Sequence, residues 1–303
     1  MRTILLTGAF PYTSDQIAQI EHLGIKVIFL LQEAEELPIG AREVEVIVCN
    51  GLFLYHKLSD FCNLKYIQLT SVGFDRVPLD EIKSRGIAIN NARGVYSIPM
   101  AEWAMAKILE YYKQLDGFVV SQEKCAWEKK RSLRELNGAS AAIIGAGNIG
   151  QEVAKRLSVF GVTVTGYDVI LGSKPFFNEV SDIRYLSTDM DRYDIVVLTA
   201  PLTEQTRHMI SRDILKSMKS NAILVNIARG GLIDTPALVE VLYDRSDLFA
   251  ALDVFEEEPL PSNSPLWLLP NVSVSPHNSF VSDGNNERMF SVIYNNLKAY
   301  LTR

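Results

Sequence analysis

The sequence predicts an α/β chain built from two doubly wound parallel-sheet domains. Three observations lead there. Short apolar or β-branched runs alternate with segments of helical period along the whole chain, the pattern of a parallel sheet covered on both faces. A glycine motif of the form G-x-G-x-x-G, at Gly145, Gly147 and Gly150, sits between one such run and one such helix. A long helical candidate at residues 99–114 separates the first alternating set from the second.

The first set offers strands at 3–7, 26–31, 45–49, 65–69 and 87–90. Ser14 is placed to cap a helix ending near Gly24, and Pro78 to open one that stops before Gly86. This unit has no phosphate loop of its own. After residues 99–114, further strands are expected at 141–144, 162–167, 195–198, 223–226, 249–252 and 272–274. The amphipathic stretch 283–301 is expected to return to the first domain. That gives one domain of residues 1–97 with 280–303, and a second of residues 98–279.

The glycine motif reads as a dinucleotide site. Gly145 permits the tight turn out of the strand at 141–144. Gly147 lets backbone approach a pyrophosphate. Gly150 lets the following helix, whose apolar face is Ile149, Val153, Leu157 and Phe160, pack close to the sheet. The helix N-terminus offers N–H groups and a positive dipole end to phosphate. The next strand ends on Asp168, 18 residues beyond Gly150, near the ~20 expected of an acid that grips a ribose 2′-hydroxyl. A carboxylate there repels a 2′-phosphate, so NAD is favoured over NADP, and Lys174 tempers this only slightly.

Composition narrows the partners. A chain of 303 residues with a net charge of −6 is a poor match for nucleic acid or an anionic membrane. Cys49, Cys62 and Cys125 are scattered, without C-x-x-C, and suggest reduced cytoplasmic thiols, not a disulfide frame or a metal site. No apolar run reaches membrane-spanning length, and the N-terminal run 3–7 is too short for a signal peptide.

Four further stretches could carry chemistry, and each has a plainer reading. Ser71-Val72-Gly73 follows a strand and could present N–H groups to a carboxylate, or be an ordinary turn. Arg229 follows a strand and precedes two glycines. At a sheet's carboxyl edge a guanidinium can clamp a carboxylate bidentately, although most strand-end arginines are simply solvated. Asp253 ends a strand and could meet a nicotinamide carboxamide, while Glu256 and Glu257 suit a solvated acidic loop. His277 follows the last strand; alone it could be structural, but imidazole is the natural proton carrier near neutral pH, and Glu258 could orient it. Together these residues suit hydride transfer to a 2-keto acid.

Ser-Val-Gly-Phe-Asp (71–75), Asn-Ala-Arg-Gly-Val-Tyr-Ser (91–97), Ala-Glu-Trp (101–103) and Gly-Ala-Gly-Asn-Ile-Gly (145–150) occur in this order. They are followed by Pro-Leu-Thr-Glu-Gln-Thr (201–206), Asn-Ile-Ala-Arg-Gly (226–230), Leu-Asp-Val-Phe-Glu-Glu-Glu-Pro (252–259) and Ser-Pro-His (275–277). In these motifs the chain resembles the D-isomer-specific 2-hydroxyacid dehydrogenases, which include phosphoglycerate dehydrogenase and hydroxypyruvate reductase. The resemblance implies Arg229, Glu258 and His277 as the catalytic trio. It implies Gly145, Gly147, Asn148, Ile149, Gly150, Asp168, Pro201, Thr206, Ala228 and Asp253 on the cofactor side. Ser71, Val72 and Gly73, with Arg229 and His277, are implied on the substrate. It also implies a flavodoxin-like substrate domain, a Rossmann domain with the site in the cleft, and a homodimer through the cofactor domains.

Arg93 stands where many members have proline, and Asn278, Ser279 and Phe280 stand where many have small residues. These positions bear on which substrate is used. Formate dehydrogenases carry glutamine where Glu258 stands, which argues against formate. The expectation is a cytoplasmic NAD-dependent oxidoreductase acting on a small D-2-hydroxy acid, without metal. The rival readings are an NAD(H) sensor of corepressor type with little turnover, and phosphoglycerate dehydrogenase proper.

Overall fold

The structure, a computed structural model, describes residues 2–302. It contains two parallel sheets, of five and seven strands, and the chain divides into two compact units: residues 1–96 with 282–303, and residues 97–281.

The first unit runs β1 (Arg2–Thr7), α1 (Ser14–Glu21), β2 (Ile25–Leu30), β3 (Val46–Cys49), β4 (Tyr66–Leu69), α2 (Leu79–Ser84) and β5 (Ala88–Asn90). Its strand order is β2-β1-β3-β4-β5, all parallel, which is the flavodoxin-like order. The cap of α1 is Thr13, one residue before the expected Ser14. The Thr13 hydroxyl accepts from Gln16 N at 3.2 Å and the Gln16 side chain returns a bond to Thr13 N at 3.0 Å. This reciprocal box satisfies two otherwise orphaned N–H groups, worth ~1 kcal/mol.

The C-terminal helix of the chain, Asn285–Leu301, packs on this sheet. Met289, Ile293 and Leu297 recur every fourth residue and are buried with Ile4, Leu6, Val46 and Tyr66. Tyr300 stacks on Tyr66 at 4.7 Å, and Asn296 donates to Gln68 at 2.8 Å. Each such apolar side chain contributes about 1.5–3 kcal/mol when fully buried, enough to hold a helix distant in sequence.

The second unit opens with α3 (Ser97–Lys113) and α4 (Leu115–Glu123), then β6 (Ser140–Ile144), α5 (Asn148–Val159), β7 (Thr163–Asp168) and β8 (Glu179–Asp182). It continues with α6 (Leu186–Asp189), β9 (Ile195–Leu198), α7 (Arg212–Ser217), β10 (Ile223–Asn226), α8 (Thr235–Asp244), β11 (Phe249–Leu252) and β12 (Val272–Val274). The order is β12-β11-β10-β9-β6-β7-β8, all parallel. β8 was not expected from sequence. It is a polar, partly exposed strand at the sheet's edge, Glu-Val-Ser-Asp, paired only with β7, so there is no hydrophobic run to reveal it. The inner strands are the reverse case: β9 and β10 are buried at every position.

Strand order decides where a ligand can sit. The chain leaves β6 toward β7 and β8, then returns through β9 to β10, β11 and β12 on the other side. The exit of β6 is therefore the switch point, where doubly wound sheets bind ligands.

Candidate active site

The glycine loop lies at that switch point, between β6 and α5. Gly145 adopts φ +99°, and a Cβ there would lie 2.6 Å from Ala200 N. A Cβ on Gly150 would lie 2.1 Å from Gly145 O. Both glycines are thus demanded by the protein's own packing. Gly147 differs: a Cβ there would meet no protein atom within 4 Å. The loop is tight on its inner side and open at Gly147, which caps α5 with backbone alone. That is the cradle a pyrophosphate needs, with the helix dipole behind it. Thr199, not singled out from sequence, braces the loop by donating to Gly145 O at 2.6 Å.

Asp168 ends β7 beside this loop. Its carboxylate accepts from Ala146 N at 2.9 Å, Ile170 N at 3.0 Å and Lys174 Nζ at 2.8 Å. Partial burial pushes its carboxyl up, but the Ile170 N–H, the Lys174 ammonium and the Ala146 N–H outweigh that and hold it below the usual range. Lys174 is therefore a direct partner of the acid.

Three other exits stand on the same edge, because β10, β11 and β12 are adjacent and parallel. Arg229 is three residues past β10, Glu258 six past β11 and His277 three past β12. Asn226, fully buried at the end of β10, holds the arginine turn: its amide accepts from Ala228 N at 3.1 Å and donates to Arg229 O at 3.0 Å. Arg229 is half-buried, with Nη1 2.8 Å from Ala228 O. Gly230 then presses on the next loop, since a Cβ there would lie 1.9 Å from the Phe255 carbonyl carbon.

His277 Nδ1 lies 2.7 Å from Glu258 Oε2, and Phe255 N donates to Glu258 Oε1 at 2.9 Å. With a carboxylate at Nδ1 that nitrogen is the donor, which leaves Nε2 as the working edge of the ring. His277 adopts φ +51°, a conformation that costs an L-residue about 1–2 kcal/mol. Its N–H donates to Asp253 O at 2.8 Å and to Ser275 O at 3.0 Å. Phe280 meets the ring edge-on at 5.8 Å.

Asp253 follows β11 directly. Its carboxylate is fully buried and accepts from Asn278 N at 2.8 Å, Ser279 N at 2.9 Å and the Ser275 hydroxyl. It thereby holds the histidine loop in shape. Glu256 lies in the exposed acidic loop expected of it, and there its carboxylate accepts from Thr235 N at 3.2 Å and lies 2.6 Å from His208 Nε2.

Of the remaining expected residues, Asn148 and Ile149 open α5 and Ala228 is buried in the arginine turn. Thr206 Oγ1 bonds Pro201 O at 2.7 Å and so closes the loop after β9. In the first unit, Ser71, Val72 and Gly73 follow β4. Asn91 Nδ2 donates to Val72 O at 2.6 Å, Ala92 N to Ser71 O at 2.9 Å and the Ser71 hydroxyl to Gly73 O at 3.0 Å. The carbonyls of this turn are thus taken up by its own neighbours.

The sequence profile of the D-isomer specific 2-hydroxyacid dehydrogenase NAD binding domain matches residues 105–279. This chain belongs to that family. It is 34% identical over 99% of its length to D-3-phosphoglycerate dehydrogenase of Methanocaldococcus jannaschii, of which it spans 58%. It is 36% identical to glyoxylate reductase of Thermococcus litoralis, covering 93% of this chain and 91% of that one. Among solved structures, D-lactate dehydrogenase from Aquifex aeolicus, complexed with NAD and lactic acid, superposes with TM-score 0.78 at 26% identity, over 99% of this chain and 95% of that one. Membership in this oxidoreductase family accounts for the seven-stranded cofactor sheet. Among the described residues no group of three His, Cys, Asp or Glu could hold a metal, and no helix is long and apolar enough to cross a membrane.

Proposed function

We propose that this protein is an NAD-dependent oxidoreductase that interconverts a small D-2-hydroxy acid and its 2-keto acid. The observation that carries the reading is the His277–Glu258 pair, 2.7 Å apart, on the sheet edge that also bears Arg229 and the glycine loop. The shape of that loop, closed at Gly145 and Gly150 and open at Gly147, suits a dinucleotide pyrophosphate. Gly147, Asn148, Ile149 and Asp168 would hold the cofactor, with Pro201, Thr206 and Ala228 along its path. Asp168 puts NAD ahead of NADP. When bound, the nicotinamide supplies or accepts the hydride at the substrate's second carbon.

The protein's own groups do the rest. Arg229 pairs with the substrate carboxylate and polarises the adjacent keto oxygen. His277 Nε2 gives a proton to that oxygen as it becomes a hydroxyl, and takes it back in the reverse direction. Glu258 holds Nδ1–H, fixes the ring's tautomer and balances its charge while the proton is on Nε2. Asp253 supports the strained histidine backbone and so acts through His277. A positioned acid of this kind contributes about 10²–10⁴ in rate.

A homodimer through the second unit is part of the reading. What supports it is the exposed apolar side chains Leu115, Phe118, Val119, Val120 and Trp127 on residues 115–127 of that unit, the kind of surface a partner would cover. The free thiols Cys49, Cys62 and Cys125 fit a cytoplasmic setting.

The test is NADH oxidation with a panel of 2-keto acids, including glyoxylate, pyruvate and hydroxypyruvate. Turnover of at least one is expected. NADH binding with no turnover of any would move the reading to a sensor.

A further inference from the structure

Glu256 and Glu258 stand two residues apart and pair with different histidines. Only one of the two pairs is used in the reaction above. We propose that the second, His208 with Glu256, is a positioning clasp that fixes Arg229 and Glu258 relative to one another; this rests on the dehydrogenase reading.

Three loops of the second unit meet at this pair. The loop after β9, residues 201–209, carries His208. Its backbone N–H donates to Gly231 O at 2.8 Å, two residues past Arg229, and Ile210 N donates to Leu232 O at 3.0 Å. Its ring Nε2 lies 2.6 Å from Glu256 Oε1, two residues before Glu258. The other oxygen of Glu256 accepts from Thr235 N at 3.2 Å, at the start of α8. One histidine therefore holds the arginine turn by its backbone and the glutamate loop by its side chain.

The two loops it joins touch backbone to backbone. A Cβ on Gly230 would lie 1.9 Å from Phe255 C and 2.3 Å from Glu256 N. With no side chain between them, a slip of one loop carries directly to the other. Phe255 N in turn bonds Glu258 Oε1 at 2.9 Å, so the same segment sets the carboxylate that orients His277. His208 adopts φ +52°, a conformation that must be held in place, and the bond to Gly231 O holds it.

The energetics separate this role from a merely structural one. The side chains of His208 and Glu256 are 44% and 29% exposed, and pairs so exposed add little to global stability. Misplacing a clamp by about 1 Å, by contrast, can cost up to ~100-fold in catalytic efficiency. The loss should therefore appear in catalysis with little change in melting temperature.

The experiment compares wild type with His208→Ala, His208→Gln and Glu256→Gln. For each, kcat and KM for the best 2-keto acid, NADH affinity by fluorescence and the melting temperature are measured. In His208→Ala, KM for the keto acid should rise about tenfold with a smaller fall in kcat, as expected when carboxylate binding is weakened. NADH affinity and melting temperature should stay near wild type. His208→Gln keeps a side-chain donor and should recover most of the KM. Glu256→Gln keeps an acceptor for Thr235 N and should fall between them. Kinetics within twofold of wild type in both His208→Ala and Glu256→Gln would overturn the clasp and leave the dehydrogenase reading intact. So would losses that merely follow melting temperature, with no recovery in His208→Gln. A wild-type protein that reduces no 2-keto acid would remove the dehydrogenase reading and the clasp with it.

Discussion

Nδ1 of His277 lies 2.7 Å from Oε2 of Glu258, and the other carboxylate oxygen is held by Phe255 N. The glutamate is itself anchored, so the ring's orientation is set from behind and Nε2 is the edge left for substrate. His277→Ala should lower kcat by about 10²–10⁴ with NADH affinity unchanged. Glu258→Gln keeps the bond to Phe255 N and should lose less. Steady-state rates alongside NADH fluorescence titration measure both; an alanine variant that turns over at the wild-type rate would remove His277 from the mechanism.

Arg229 offers a planar fork that lysine cannot copy. Arg229→Ala should raise KM for the keto acid by about 10–100-fold, the size of one or two hydrogen bonds to a charged group. Arg229→Lys should restore charge but little of the affinity. Equal KM values in the lysine variant and wild type would mean that the clamp is elsewhere.

Lys174 sits on Asp168 Oδ2 at 2.8 Å, so the acid proposed to discriminate against a 2′-phosphate is partly neutralised. Asp168→Asn should release Lys174 and shift the NADPH/NADH affinity ratio upward by about tenfold, given the ~1.5–2 negative charges of a phosphate. Lys174→Met should shift it the other way. Competitive titration with 2′,5′-ADP and 5′-AMP reads the ratio without turnover; an unmoved ratio in both variants would detach this pair from cofactor choice.

The glycines of the loop should separate binding from folding. Gly147→Ala meets no atom within 4 Å and should leave the melting temperature unchanged while weakening NADH. Gly150→Ala drives a methyl to 2.1 Å from Gly145 O and should lower the melting temperature even without cofactor. Differential scanning fluorimetry with and without NADH distinguishes them.

Asp194 ties the starts of β6 and β9 together. It accepts from Ser140 N at 3.0 Å and pairs with Lys219 at 2.8 Å. Burial pushes its carboxyl up, but Lys219 and Ser140 outweigh that and hold it below the usual carboxylate range. A carboxyl lowered in the folded state stabilises the protein above its unfolded pKa and loses that contribution as pH falls through the folded value. Asp194→Asn should therefore melt below wild type at pH 7, and the gap should close below pH ~3.8. A gap that is constant with pH would assign the effect to packing.

Much of this protein was set by sequence alone. The strands 195–198, 223–226 and 249–252 appear at those residues, because continuous apolar runs between turn signals have one favourable use in a parallel sheet; the half-buried edge strand 272–274 appears where its Val-Ser-Val alternation put it. The glycine spacing and Asp168 pointed to a dinucleotide loop, and two of its glycines, Gly145 and Gly150, answer separate steric demands of the protein while Gly147 stays open. The motif around Glu258 and His277 already paired those two residues. What sequence could not supply was the second pairing: Glu256 and Glu257 are identical neighbours of Glu258, and only the folded course of the loop turns Glu256 to His208 and buries Asp253 beneath the histidine. Local pattern fixes which backbone is formed, because steric and hydrophobic demands act within a few residues. Which carboxylate meets which imbidazole depends on strand exits brought together by sheet order, from segments up to 48 residues apart.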